Sequence, residues 1–118
     1  MYRTIPLHRP VSVQVPLDDL AAVAADYGPT AYVLIGAAEG PPRVTHSEAQ
    51  FLEGLIEVSI GRRATAALAA NPTACLLWPA PETDAMSLIV DVVLVGGAPA
   101  DGGVTRFDPV GAVRHRPA

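Results

Sequence analysis

Residues 55–78 read LIEVSIGRRATAALAANPTACLLW, and this stretch decides the fold. Apolar and polar residues alternate over Leu55–Ile60, which is the period of a half-buried β-strand. Gly61 separates this strand from a run of arginine, alanine and leucine, which have high helix propensity. Asn71-Pro72 ends the helix, because proline cannot continue it and disfavours helical backbone in the residue before it. The apolar segment Thr73–Trp78 follows as a strand, so the sequence predicts a strand–helix–strand unit.

Upstream of this unit, the sequence predicts a short helix and two further strands. The helix begins at Pro16-Leu17, and its apolar residues recur at helical spacing until Gly28-Pro29 ends it. Tight turns at 39–42 and at Glu53-Gly54 divide the segment that follows, which predicts an antiparallel meander of three strands. The predicted strands are 30–37, 43–51 and Leu55–Ile60.

Downstream, residues 86–95 are predicted as the fifth and longest strand, followed by short strands at 104–107 and 112–115. Residues 1–15 alternate weakly and contain prolines, so they are interpreted as an N-terminal arm or an edge strand. Many short antiparallel strands in a small chain favour a closed or half-closed barrel over an open sheet with bare edges. The predicted fold is mainly β, with six to seven strands, two flanking helices and a single domain over 1–118.

The composition limits the possible functions. The 118 residues include eight basic residues, all arginine, and twelve acidic ones, giving a net charge of −4. Such a surface does not attract nucleic acid in general, so an anion site must be local. Half of the residues are apolar, and we expect some of them in a subunit interface. We identify neither a secretory signal nor an apolar segment long enough to span a membrane.

The single cysteine, Cys75, excludes an intrachain disulfide, and a reducing, cytoplasmic compartment is the simplest interpretation. Because Cys75 lies in an apolar strand, it is interpreted as a buried core residue rather than a nucleophile. The three histidines are far apart in sequence, so no metal site is predicted. Asp91 interrupts an apolar strand and is expected to face solvent or to pair with an arginine such as Arg106.

Arg62 and Arg63 occupy the first turn of the predicted helix, where the helix dipole disfavours cations. A bound phosphate would reverse that penalty, because it accepts hydrogen bonds from the free N–H groups and pairs with guanidinium groups. Gly61 is expected to allow a tight turn and close approach of the backbone, and Ser59 and Thr65 could add hydroxyl donors. The alternative interpretation is that both arginines are simply solvated.

The segment Val58-Ser59-Ile60-Gly61-Arg62-Arg63-Ala64-Thr65, with Leu68, Asn71-Pro72 and the strand Thr73–Trp78, resembles the pyridoxamine 5′-phosphate oxidase-like, FMN-binding split-barrel family. The strand Ser87-Leu88-Ile89-Val90-Asp91 and the first hairpin, with its Glu39-Gly40 turn, fit the same family. The similarity extends over roughly 17–95, and the closing residues 112–117 resemble the tail of short actinobacterial members.

The resemblance implies a split barrel that forms a homodimer and binds FMN in the groove between subunits. By this match, Arg62 and Arg63 hold the flavin phosphate, with Ser59, Gly61 and Thr65 beside them. Trp78 is interpreted as a wall of the cofactor groove or as part of the dimer interface, with core packing as the alternative. His46 could approach the flavin ring, or it could face solvent or be satisfied in the core.

Three features depart from the family pattern. Ala64 stands where the family usually has lysine, Val92 replaces the glycine that commonly follows the aspartate of the fifth strand, and the longer C-terminal region that contacts substrate is missing. The resemblance implies an FMN-dependent oxidoreductase acting on an unidentified small molecule. The alternatives are a non-enzymatic dimer that binds a flavin, a deazaflavin or haem, and a split-barrel dimer without a cofactor.

Overall fold

Seven strands and two helices occur in residues 11–99 and 103–117, the part of the chain that this computed structural model describes. A single 3₁₀ turn, Leu17–Asp19, leads into the first helix. The strands are β1 (Ser12–Gln14), β2 (Thr30–Ile35), β3 (Arg43–Leu52), β4 (Leu55–Ile60), β5 (Thr73–Trp78), β6 (Ser87–Val95) and β7 (Gly103–His115), and the helices are α1 (Leu20–Ala25) and α2 (Arg62–Ala70). The strand–helix–strand unit is confirmed, and the bounds of β4 and β5 agree with the prediction to the residue.

The predicted meander is also confirmed, since β3 pairs antiparallel with both β2 and β4. Its second turn is a two-residue hairpin in which Glu53 and Gly54 have φ angles of 51° and 82°. Positive φ at both central positions matches the twist of the flanking strands, and glycine adopts it without strain. Leu52 and Leu55 face each other across this turn, which sets the register of the hairpin.

The sheet closes into a barrel because β7 pairs with two different strands. Its first half pairs with β4, and most of its length pairs with β6, so the closed order is β7-β4-β3-β2-β5-β6. The last residues of β7 also pair with β1, from Ser12 opposite His115 to Gln14 opposite Val113. The described part of the predicted N-terminal arm is therefore an edge strand, while residues 1–10 lie outside the described ranges.

The prediction of two short strands after residue 103 is wrong, because β7 is one continuous strand of 13 residues. It is also longer than β6, which has nine residues and was expected to be the longest. The ladder shifts register so that Asp91 faces Gly111 while Val92 faces Pro109. The bulge at Val110 lets the strand contain proline, which has no N–H group for a regular ladder.

The core lies inside the barrel, and both helices add buried residues to it. Alternate residues of β2, β5 and β6 point inward. One face of α2 is buried against them, through Ala64, Thr65 and Leu68. Leu20 and Ala24 of α1 are buried with them. No helix of the described residues is long and apolar enough to cross a membrane.

Two threonines are buried in the barrel, and their hydroxyl groups differ in hydrogen bonding. The hydroxyl of Thr105 on β7 has no hydrogen-bond partner among the described residues, whereas that of Thr65 donates to the Gly61 carbonyl at 2.8 Å. Burying an unpaired hydroxyl costs free energy, and a paired one contributes. We therefore expect Thr105→Val to raise the free energy of unfolding by about 1 kcal/mol and Thr65→Val to lower it by about 1 kcal/mol. Urea denaturation of both variants measures these changes, and a destabilised Thr105→Val protein would contradict the assignment.

Candidate functional site: the start of helix α2

The site begins where β4 passes into α2. Gly61 is the N-cap of the helix, with φ −79° and ψ 176°, and no side chain of the described residues caps this end. The backbone N–H of Thr65 donates to the Gly61 carbonyl at 3.0 Å, and the Thr65 hydroxyl donates to the same oxygen. The earlier N–H groups of the first turn have no intrahelical acceptor, so this helix end can donate to an anion.

Gly61 does not serve the tight turn that we expected from the sequence. Its φ lies in a region that any residue adopts, so the turn itself does not require glycine. Among the described residues, a Cβ atom built at Gly61 would meet nothing within 4 Å. Within that part of the chain, the space over this backbone leaves room for a ligand to approach it.

Arg62 and Arg63 are both exposed, and neither has a hydrogen bond or an ion pair within the described ranges. The first turn contains no acidic residue that would balance them. Ser59, also exposed, is held by its backbone, since its N–H donates to Ser47 Oγ at 2.9 Å. We call Ser59, Gly61, Arg62 and Arg63 the α2 cradle.

Two of the predicted site residues do not present their polar groups to the cradle. Thr65 is 3% exposed, and its hydroxyl hydrogen is engaged with Gly61, so it orders the N-cap backbone. Trp78 lies on β5, and β3 and β2 separate it from β4 in the sheet. Its side chain is 1% exposed, its Nε1–H donates to the Gly28 carbonyl at 3.2 Å, and its ring stacks on Phe51.

An acidic groove borders the cradle on the outer face of β3 and β4. It has a volume of about 360 Å³ and contains Glu48, Glu57 and Ser59 among its lining residues. Arg106 of β7 pairs with Glu57 through an Nε–Oε2 contact of 2.7 Å, which offsets one of the two carboxylates. A phosphate at the cradle would therefore lie toward the arginines and away from Glu48, because like charges repel.

The Glu57–Arg106 pair was missed in the sequence, where Arg106 was offered as a partner for Asp91. Alternation along β4 indicates that Glu57 points outward. Its partner Arg106 lies 49 residues later in the chain, and only the register between β4 and β7 brings the two together. Asp91 is exposed, so the expectation that it faces solvent is confirmed.

Cys75 is not a core residue as expected, because it is half-buried on the outward face of β5. The inward positions of this strand are held by Leu76 and Trp78. Burial raises the pKa of the Cys75 thiol, and the Asp91 carboxylate adds to the rise. A thiol kept protonated is a poor nucleophile, so the interpretation that Cys75 is unreactive stands on this ground.

His46 lies on the outer face of the barrel, where it faces Tyr32 across β2 and β3. The two rings meet edge to face, with centroids 5.8 Å apart. His46 directly precedes Ser47, whose hydroxyl accepts the Ser59 N–H, but the two side chains point to opposite faces of β3. In the part of the chain that the structure describes, no cluster of three histidine, cysteine or acidic side chains could hold a metal ion.

Comparison with known proteins identifies the architecture. Neither a protein-family model nor a curated protein matches the sequence. Solved structures match it by shape, including one from Listeria innocua named provisionally as a pyridoxamine 5′-phosphate oxidase (TM-score 0.64, 11% identity, covering 82% of this chain and 96% of that one). A FAD-binding protein from Mesorhizobium loti has a TM-score of 0.64 at 10% identity, with 90% and 98% of the two chains covered.

The chain has the pyridoxamine 5′-phosphate oxidase-like split-barrel fold. A haem-storage protein from Vibrio cholerae shares it, with a TM-score of 0.62, 16% identity, and 84% of this chain and 94% of that chain covered. The resemblance noted in the sequence is confirmed at the level of the fold. Proteins of this shape carry different cofactors by name, so the cofactor of this chain has to be argued from its own cradle.

The position of Arg62 predicts a conflict between stability and ligand binding. A glutamate in the first turn is favoured by the helix dipole, and an arginine is disfavoured. We expect Arg62→Glu to raise the free energy of unfolding of the ligand-free protein by about 0.5–1 kcal/mol. Arg43→Glu is the control, since Arg43 is exposed on β3 and outside any helix. Chemical denaturation at low and high salt checks this, and equal effects of the two substitutions would refute it.

Proposed function

We propose that this chain is a homodimeric flavoprotein that binds FMN by its phosphate at the α2 cradle and acts as an oxidoreductase. The observation that carries the proposal is the pair Arg62 and Arg63, unpaired within the described residues at an uncapped helix start. The flavin-binding neighbour of the same fold supports a flavin-type cofactor in general. The choice of FMN rests on the resemblance of the segment 58–78.

The residues present fit a phosphate group. A phosphate monoester carries a charge of about −1.5 to −2 at neutral pH, which two guanidinium groups match. The first-turn N–H groups and the Ser59 hydroxyl can donate to its oxygens, and the open space over Gly61 admits it. Ala64, which replaces the lysine usual in the family, is 6% exposed and packs against the barrel. The positive charge of the cradle therefore comes from the two arginines alone.

Bound FMN would supply hydride and electron transfer, and this chain would supply binding, orientation and exclusion of water. The cradle fixes the phosphate end of the ligand. Ser47 Oγ accepts the Ser59 N–H while its own hydroxyl donates to the Glu48 carbonyl, so β3 holds the cradle in place. A site that works through an oriented cofactor does not need a nucleophile–base pair of its own.

An outward-facing row of apolar side chains supports the homodimer. Tyr32, Leu77, Ile89 and Val113 are consecutive cross-strand neighbours on β2, β5, β6 and β7. We call them the apolar row. Tyr32 is 40% exposed, although the outer face of an antiparallel barrel is normally polar. Tyr32 also contacts His46 of β3, the strand whose Ser47 holds Ser59 of the cradle, and a second copy covering the row would close the cofactor groove.

The first test compares FMN with riboflavin, which lacks the phosphate. We expect the protein to bind FMN about 100-fold more tightly than riboflavin, because two charge-assisted contacts are worth about 3 kcal/mol together. The double variant Arg62→Ala/Arg63→Ala should bind both flavins with equal, weak affinity. The control Arg43→Ala removes the charge of an exposed arginine outside the cradle, and it should retain the preference for FMN over riboflavin. Flavin fluorescence titration measures all of these affinities.

Unchanged FMN affinity in the double variant would show that the phosphate lies elsewhere. Failure of FMN to bind the native protein, together with binding of a deazaflavin or of haem in the same titration, would favour the alternative cofactors. Oxidation of NAD(P)H by the FMN-loaded protein separates an oxidoreductase from a flavin-binding module, since only the former turns over.

The second test concerns the dimer. A charge placed in the apolar row would be buried without a partner, which costs several kcal/mol. We expect the native protein to be dimeric and Leu77→Asp to be monomeric with weakened FMN binding. Leu52→Asp is the control, because Leu52 is 48% exposed at the β3–β4 turn and outside the row. Light scattering after size exclusion gives the masses, and a dimeric Leu77→Asp protein would contradict this interface.

A further inference from the structure

A second cavity lies beside α1, separate from the cradle. It has a volume of about 290 Å³, and we call it the α1 pocket. Its wall combines apolar side chains with two opposite charges. The residues used below are Val23, Asp26, Tyr27, Pro81, Met86 and Arg114. The strand β7 links the two sites, since Gly103 pairs with Ile60 beside the cradle and Arg114 follows eleven residues later, roughly 35 Å along the strand.

Arg114 occupies an unusual position for a charged residue. It lies opposite Leu88, which is fully buried, and residues directly opposite in an antiparallel ladder point to the same face. Ala112, two residues earlier on that face, is 5% exposed. Arg114 therefore follows the core-facing positions of β7, but its own side chain is exposed at the end of the strand. It has no ion pair or hydrogen bond within the described ranges, so its guanidinium group is free to meet an anion.

Tyr27 gives the pocket a firm wall. Its hydroxyl donates to the Met86 carbonyl at 2.7 Å, which ties the end of α1 to the start of β6. Burial raises the pKa of the Tyr27 phenol, and the nearby Arg114 charge opposes that rise. The phenol thus remains a neutral donor to Met86, and its oxygen can still accept a hydrogen bond from a ligand.

Asp26 at the end of α1 lines the same pocket as Arg114, yet the two side chains form no ion pair. The carboxylate and the guanidinium group thus line one cavity without a direct contact between them. A purely anionic ligand would be attracted by Arg114 and repelled by Asp26. A ligand that carries both charges would satisfy both groups, while its apolar part would contact Val23, Pro81 and Met86.

We propose that the α1 pocket binds a small apolar zwitterion of the amino-acid type. Its carboxylate pairs with Arg114, its ammonium group pairs with Asp26, and its side chain packs between α1 and the β5–β6 loop. Occupation would tie α1, β7 and the start of β6 together. The proposal depends on neither FMN nor the cradle, so it stands or falls separately from the proposed function.

Three probes that share a phenylethyl group and carry both or only one of the two charged groups test this on the full chain. They are L-phenylalanine, 3-phenylpropionate and 2-phenylethylamine, titrated by calorimetry or by NMR chemical-shift changes. We expect saturable binding of phenylalanine and about tenfold or weaker affinity for each single-charge analogue, which corresponds to the loss of one ion contact. Absence of saturation by phenylalanine, or equal affinity for 3-phenylpropionate, overturns the proposal.

Two substitutions test which residue pairs with which charged group of the ligand. Arg114→Gln should weaken phenylalanine binding about tenfold or more, whereas the control Arg43→Gln, on exposed β3, should leave it unchanged. Asp26→Asn should weaken phenylalanine but leave or improve 3-phenylpropionate, so the preference between them shrinks. Thermal unfolding checks that both variants fold. Unchanged phenylalanine affinity in Arg114→Gln, or an unchanged preference in Asp26→Asn, contradicts the assigned contacts.

Discussion

The pairing of β7 with two strands at once is the constraint on which the rest of the molecule depends. By hydrogen bonding to β4 at its start and to β6 along most of its length, β7 converts an open sheet into a barrel. Closure removes the exposed edges that an open sheet would present. It also sets where α2 begins, because Gly103 holds Ile60, the last residue before the N-cap. One strand thereby positions the cradle and, at its other end, Arg114.

Local patterns predicted the elements whose signals are local. The bounds of β4 and β5 follow from alternation and from Asn71-Pro72, and the Glu53-Gly54 turn follows from its φ preferences. The continuity of β7 could not be predicted in this way, because Pro109 and Gly111 look like a break in the sequence. Only the ladder with β6, which absorbs Val110 as a bulge, makes them parts of one strand.

The features of the two sites also differ in whether their sequence signals are local. The charge pattern of Arg62 and Arg63 is local, and the structure places both at an uncapped helix start. The orientation of Thr65 also had a local signal, since a threonine four residues after the N-cap can return its hydroxyl to that carbonyl. By contrast, the partner of Glu57 and the placement of Arg114 without an ion pair among the described residues depend on register between distant segments. Such contacts are consequences of closure, so the sequence alone did not reveal them.

A negatively charged protein can still hold a phosphate, because the relevant field is local. Charges separated by more than about 8–10 Å are largely screened at physiological ionic strength. Within that range of the cradle, Arg106 offsets Glu57, and the helix end adds its partial positive charge. The net charge of −4 therefore argues against a general affinity for polyanions without weakening a single-phosphate site. By the same reasoning, the proposed phosphate site would be selective, since the acidic groove beside it disfavours a ligand whose negative charge extends beyond one phosphate group.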